Sequence, residues 1–529
     1  MALTDGQRNS NFLGDVQRTG RDGGKRLIAV EHAVSDASVN SAIRGLHEFI
    51  TAPAARKNLL LASRTPRRNT EIRLSRSYNP TYDDILLRAK QARDYFLLIG
   101  PPGTGKTSMA LRYIVEEELA DGGTHPSILL MAYTNRAVDE ICSMLEDAGA
   151  DYLRLGNRYS CDKRYRHRLI ENMVERNPRL DTLREKMAST RIVTCTTSML
   201  MSKPYFFRIK RFSLAVIDEA SQILEPNIIG LLAAHMKNAD GSIRCCIDRF
   251  ILIGDHKQLP AVVQQDESDS ATDNGTLHAI GLYNCRNSLF ERLINIERTN
   301  NRKDFIGILN RHGRMHPDIA DFPCRMFYGT EHLAAVPLPH QQEKELNYAV
   351  NGAEDGMDRM LKQHRMIFIP SPECRNPDIS DKVNTAEAAI VADVVRRIYG
   401  YYGNGFDASR TVGIIVPYRN QIATIRREIE KLGIAELEKI SIDTVERYQG
   451  SQREVIIYSF TIQNRYQLEF LTGNSFCENG FTIDRKLNVA ITRARRQMIM
   501  TGNIRTLEKD TVFRNLIEYI REKGGMVAV

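Results

Sequence analysis

The chain has 529 residues, 42% of them hydrophobic and 26% charged, with a formal net charge of +8. That length suits two to four domains, and the balance is that of an ordinary globular protein. No apolar run approaches the ~18–20 residues that cross a bilayer, so no membrane partner is expected. The opening "MALTDGQRNSNF" is polar and acidic where a secretory leader needs an apolar stretch, and a cytoplasmic site of work is expected. Nine cysteines are scattered without a C-x-x-C pair or a Cys/His array, which argues for reduced thiols and against a zinc site.

Residues 1–77 form a basic N-terminal segment. Residues 1–78 carry 13 Lys and Arg against 7 Asp and Glu. Much of the excess lies in "ARKNLLLASRTPRRNTEIRLSR", Ala55 to Arg76. A solvated arm or a partial accessory domain fits this composition, as does a surface for a protein or polyanion partner. Past Tyr78 the pattern changes. Apolar strand-like runs at 94–100, 127–134, 191–197, 214–220 and 249–255 alternate with helical stretches. A second series follows at 365–370, 411–418, 439–445, 454–460 and 497–503. The rhythm predicts α/β architecture: two tandem domains with parallel sheets covered by helices on both faces. The first is placed at 78–286, with a small insertion over 146–189, and the second at 287–529.

"IGPPGTGKTS", Ile99 to Ser108, follows the first strand and opens a helix. It fits the phosphate-binding pattern G-x-x-x-x-G-K-[ST] in the context that pattern requires. Gly100, Pro101, Pro102, Gly103, Thr104, Gly105 and Ser108 form the cradle. Backbone N–H groups and the helix N-terminus favour phosphate oxygens, Lys106 reaches the β/γ-phosphates, and Thr107 ligates Mg²⁺. "LAVIDEASQ", Leu214 to Gln222, ends a strand with the carboxylates this chemistry needs. Asp218 is read as holding Mg²⁺, and Glu219 as orienting and deprotonating the attacking water. Gln258, in "ILIGDHKQLPAV", stands at another strand end where it can sense the γ-phosphate. "YTNRAVDEI" puts small polar groups at the carboxyl end of a strand, the edge where open α/β sheets bind ligands.

Nine segments taken in order resemble superfamily 1B helicases of the Upf-like group, which also includes the helicase half of the Dna-type nuclease-helicases. They are "GPPGTGKT", "YTNRAVD", "VTCTTS", "VIDEASQ", "GDHKQLPAV", "GRMHPDIADF", "IIVPYRNQ", "DTVERYQGSQREVIIYS" and "LNVAITRARR", spanning roughly residues 78–505. The resemblance implies two RecA-like P-loop domains with ATP and Mg²⁺ in the cleft between them. It implies that Arg493 is the arginine finger and Arg314 a second arginine on the γ-phosphate. Fixed cations of this kind contribute ~10³–10⁵ in rate where measured. Arg495 and Arg496 are left open between a solvated face and structural ion pairs.

The resemblance also places Asn135, Thr196, Pro417, Tyr418 and Thr444 near a single strand of DNA or RNA. Tyr418 is read as a base-stacking ring, with a core tyrosine capping a strand as the alternative. The chain departs from the family pattern at three points. Tyr82, in "YNPTYDD", stands where the family carries the glutamine that reads adenine. His312 and Gly313 replace Gln and Tyr before Arg314, and Gln452 stands where many members have Glu for the ribose. The expected activity is an ATP-dependent helicase or translocase on single-stranded nucleic acid, moving 5′→3′ as the family implies. The alternatives are a nucleic-acid-stimulated switch ATPase that remodels protein–RNA complexes and an ATP-clamped binding subunit with negligible turnover.

Overall fold

The computed structural model describes residues 2–4, 29–31, 37–120, 126–172, 180–238, 240–263, 265–349, 353–373 and 380–527. Within them lie two parallel sheets. The first has seven strands: β1 (Tyr95–Ile99), β2 (Ile128–Ala132), β3 (Tyr152–Arg154), β4 (Ile192–Thr196), β5 (Phe212–Asp218), β6 (Ile247–Gly254) and β7 (Ile306–Ile308). Their order across the sheet is β7-β1-β6-β5-β2-β4-β3, and every pairing is parallel. The second has β8 (Met366–Pro370), β9 (Val412–Val416), β10 (Ser441–Thr444), β11 (Arg453–Ser459) and β12 (Ala494–Gly502), ordered β8-β12-β11-β9-β10, again all parallel.

The central strands read as unbroken apolar runs because helices cover both faces. Every residue of β1 and β2 is buried. The first sheet and its helices share one core; the second has a core on each face. All ten sequence-predicted strands form. Among the described residues, no helix is long and apolar enough to cross a membrane.

Two features of the fold bear on the boundaries read from the sequence. The first core runs on past the joint expected at Asn287, through the helix Leu289–Thr299 and β7 to Leu309. Ser288 starts that helix with a capping box to Glu291, a local signal for a helix but not for its owner. The stretch 146–189 is not wholly an insertion. It contains β3, the edge strand of the first sheet, whose Arg154 is buried against Asp139 at 2.5 Å.

The segment before residue 78 is, where described, no free arm. Ala52, Leu59 and Leu60 enter the first core. The helix Ala37–Thr51 approaches the body so closely that a Cβ on Gly45 would lie 3.2 Å from the Pro226 carbonyl and 3.6 Å from Gly230 Cα. Arg64 and Arg67 both grip Asp94 (2.9 and 2.8 Å), Arg68 pairs with Asp304, and Arg76 with Glu116. These four arginines are thus paired with carboxylates of the same chain, although Arg67 and Arg76 stay largely exposed.

Candidate active site

The loop Gly100–Gly105 leaves β1 and turns directly into a helix. Gly103 and Gly105 take φ of +75° and +73°, where a side chain would be strained. The helix opens on a wide turn, with the N–H groups of Met109 and Ala110 both donating to the Gly105 carbonyl at 2.9 Å. Lys106 Nζ donates to the Gly100 carbonyl at 2.7 Å, keeping the ammonium at the mouth of the loop. Tyr82 donates from its hydroxyl to the Thr104 carbonyl at 2.9 Å, and its ring meets Tyr113 edge-on. The residue at the adenine-reading position therefore also buttresses the loop.

Thr107 Oγ1 donates to Asp218 Oδ2 at 2.5 Å, although 111 residues separate them. Parallel β1, β6 and β5 all end on one edge, which brings the two together. Asp218 is buried, and desolvation, with the Glu219 carboxylate beside it, pushes its pKa up. A hydroxyl and a buried carboxylate are hard oxygen donors that suit Mg²⁺, whose charge would offset that desolvation. Glu219 takes a left-handed backbone (φ +52°), a strained geometry that in non-glycine residues gathers at functional sites. Its own N–H donates to Asp218 Oδ1, and Gln222 Nε2 donates to its carboxylate at 3.1 Å.

The second half of the chain closes this site. Gly313 N donates to the Gly103 carbonyl at 2.9 Å, and a Cβ on Gly103 would meet Arg314 Cβ at 2.5 Å. Arg314 donates from Nε to Gln452 Oε1 (2.9 Å) and from Nη1 to the Thr492 carbonyl. Gln452 is thus engaged as an orienting group for Arg314. Arg493 donates to the Val489 carbonyl and, from Nη2, to Gln258 Oε1 at 3.0 Å. Gln258 in turn donates to Asp255 Oδ2 at 2.8 Å. Lys106 and Arg493, 387 residues apart, line one cleft of about 800 Å³ with Tyr82, Glu219, Gln258 and Arg314. Burial lowers the pKa of Arg493 to about 10. Burial, then repulsion from Arg493, lowers Arg314 to about 9. Two guanidiniums lining one cleft are poised for a polyanion.

Several participants were not singled out from the sequence. Asp255 also accepts from Tyr328 Oη (2.7 Å), which accepts from Asn488 Nδ2, itself bonded to the Lys257 carbonyl. This chain of bonds ties the Gln258 loop to the helix that precedes Arg493. Beside it, Glu478 meets His256 (3.0 Å), Lys257 (2.8 Å) and Arg298 (2.7 Å), while Glu331 takes Lys257 at 2.7 Å. His256, Glu331 and Glu478 lie close enough to suggest a metal, but two cations already occupy the carboxylates. Arg495 pairs with Glu454 and Arg496 with Glu343, which settles both as ion-pair members. His312 is fully buried, its ring nitrogens without partners, and burial lowers its pKa to about 4.

The expected nucleic-acid residues stand at the carboxyl ends of strands. Asn135 opens the helix after β2, Thr196 ends β4 and caps the next helix, and Thr444 ends β10 beside Val416 of β9. Pro417 is half-buried. Tyr418 departs from the expected stacking ring. It is 8% exposed and belongs to the core, its ring covered by Phe470 at 5.3 Å. The core alternative is correct because the helix Arg465–Thr472 packs over it.

A parallel sheet ending in a phosphate-binding loop, a paired Thr and Asp, and arginines delivered from a second parallel sheet define a P-loop nucleotide hydrolase with tandem RecA-like halves. Residues 77–190 and 166–266 match one family model described as an AAA domain, and residues 285–505 match a second with the same description. The chain is 28% identical over 460 residues to the Arabidopsis thaliana DNA replication ATP-dependent helicase/nuclease JHS1, covering 85% of this chain and 30% of that protein. The Xenopus laevis DNA replication ATP-dependent helicase/nuclease DNA2 is 28% identical over 84% of this chain and 39% of its own length. The Saccharomyces cerevisiae DNA polymerase alpha-associated DNA helicase A is 25% identical over 79% of this chain and 63% of its own length. Together the two models and these relatives support a superfamily 1B helicase of the DNA2/NAM7 type, and the chain spans less than two thirds of the length of these relatives.

Proposed function

We propose that the chain is an ATP-dependent helicase or translocase on single-stranded DNA or RNA. The observation that carries this reading is the bond from Arg493, beside the second sheet, to Gln258, at the edge of the first. A catalytic cation that arrives from the other half makes hydrolysis depend on closure, and closure is what a stepping motor couples to movement. Lys106 and the loop amides bind the phosphates, Arg314 and Arg493 neutralise charge that develops on the transferring group, and Glu219 takes the proton from the attacking water. Thr107 and Asp218 would hold Mg²⁺, which would supply positive charge against the phosphates. The halves are taken to meet after Leu309, and movement is 5′→3′ by family resemblance. Asn135, Thr196, Pro417 and Thr444 present polar and small groups along the strand ends, suited to phosphate and sugar contacts that do not read sequence.

The test is steady-state ATP turnover with and without single-stranded DNA or RNA across a salt series, followed by strand displacement. Stimulation that fades with salt, as counterion release requires, together with displacement, supports the motor. Stimulation without displacement indicates a switch ATPase. Turnover indifferent to either polymer refutes the reading. Lys106→Ala should abolish productive nucleotide binding, Glu219→Gln should bind but not hydrolyse, and Arg493→Ala should lose roughly 10³-fold or more in rate with little change in affinity.

A further inference from the structure

The helix Arg465–Thr472, "RYQLEFLT", leaves the carboxyl edge of the second sheet just after β11. Asn464 caps it, and its inner face (Gln467, Leu468, Leu471) is buried. Gln467 Nε2 donates to the Asp381 carbonyl at 2.6 Å, fixing the helix against the neighbouring loop. Its outer face carries Tyr466, 76% exposed, and Phe470, 50% exposed. Spaced i and i+4, these rings stand one above the other on the same side. The Phe470 ring lies nearly parallel to Tyr418 (19°), and Lys486 Nζ sits 4.3 Å from its centroid and donates to the Phe470 carbonyl.

Among the described residues Tyr133, Tyr159, Tyr205, Tyr283 and Phe481 are exposed as well, but Tyr466 and Phe470 stand in register on one helix face. Their place explains them. Phe470 rests on Tyr418, which follows β9, and β9 pairs with β10 so that Val416 lies opposite Thr444. The ladder therefore borders the strand ends along which a nucleic-acid strand would run. Arg465 neutralises Glu469 through an i,i+4 pair at 3.0 Å, and Lys486 adds positive charge at the ring. A flat apolar ring backed by a cation is the surface on which an unpaired base stacks without regard to its identity.

We propose that Tyr466 and Phe470 form a base-stacking ledge for single-stranded nucleic acid on the second half of the chain. The inference rests on the reading of the chain as a single-strand motor and adds the residues that grip bases. Stacked bases bind roughly tenfold or more tighter per ring. Stacking carries no charge, so the ledge alters affinity and leaves the salt slope alone.

The experiment measures binding of the full chain to dT20, rU20 and an abasic 20-mer by fluorescence anisotropy, for wild type, Tyr466→Ala, Phe470→Ala and the double variant. The expected result is about tenfold weaker binding of dT20 or rU20 for Tyr466→Ala and more for the double variant, with equal binding of the abasic strand. The salt slope and nucleotide affinity stay unchanged. Tyr466 is almost free of packing, so its variant tests the idea even if removing Phe470 disturbs Tyr418. Unchanged affinity for dT20 and rU20 in Tyr466→Ala overturns the ledge, as does an equal loss on the abasic strand. Wild type that binds no single strand overturns the motor reading itself, an outcome visible before any variant is made.

Discussion

Glu387 offers the sharpest test of the electrostatics. It lies in the first turn of the helix Thr385–Tyr402 and is fully buried. Its carboxylate accepts from Ser459 Oγ (2.7 Å), Thr461 N (2.8 Å), Ser371 Oγ (3.1 Å) and Asn384 Nδ2 (3.2 Å), all neutral donors. Burial outweighs these bonds and raises the pKa from 4.5 to about 7. Holding the charged form there costs about 3 kcal/mol. Below pH 4.5 the group is protonated in both folded and unfolded chains and changes nothing. Between 4.5 and 7 the folded chain keeps a proton that the unfolded chain releases, so stability falls as pH rises. Above 7 the full ~3 kcal/mol is lost. Glu387→Gln removes the titration and leaves a pH-independent offset, since its NH₂ faces the same donors. Urea unfolding of both proteins from pH 4.5 to 8, followed by far-UV circular dichroism because the chain has no tryptophan, gives the difference directly. Wild type should lose about 3 kcal/mol relative to the variant across that range. A difference flat to within about 1 kcal/mol would mean that the four donors hold the carboxylate ionised throughout, and the desolvation argument would fail.

Gly103→Ala adds a methyl at positive φ and 2.5 Å from Arg314 Cβ. Turnover should fall more than tenfold, the cost of about 1–2 kcal/mol of backbone strain plus a displaced arginine, while circular dichroism stays unchanged. A fully active variant would show that Arg314 is not held by this contact. Glu478→Gln removes the charge shared by His256, Lys257 and Arg298. Breaking a lone buried pair costs about 3–5 kcal/mol, but Lys257 keeps Glu331, so a loss of about 2 kcal/mol in urea and slower turnover are expected. Tyr82→Phe deletes the bond to the Thr104 carbonyl, worth about 1 kcal/mol. Nucleotide affinity, read by titration calorimetry, should weaken by up to about fivefold; no change would free Tyr82 from its part in shaping the loop.

The two series of apolar strands were legible because a strand buried on both faces must be apolar along its length. The phosphate loop was legible because its glycines, lysine and threonine sit in fixed local order after a strand. Segments of three residues carry too little periodicity to be read, so β3 and β7 were missed, and with β7 the true reach of the first core. The roles of Asp255, Tyr328 and Asn488 were invisible because each bond in their chain joins positions far apart in sequence. Tyr418 was misjudged for the same reason: what covers it is Phe470, 52 residues on.

What the sequence determined by itself, then, is everything that depends on near neighbours along the chain. That comprises the α/β rhythm, the cradle from Gly100 to Ser108, and the Asp218–Glu219 pair at a strand end. Only the tertiary structure decided which distant groups share a site. Parallel strands bring their carboxyl ends to one edge whatever their order in the chain, so Thr107 meets Asp218. The packing of one sheet's edge against the other's sets Arg493 on Gln258. Tertiary contacts likewise set Arg64 and Arg67 on Asp94 and left Tyr466 and Phe470 facing water, outcomes fixed by which surfaces meet and not by any local pattern.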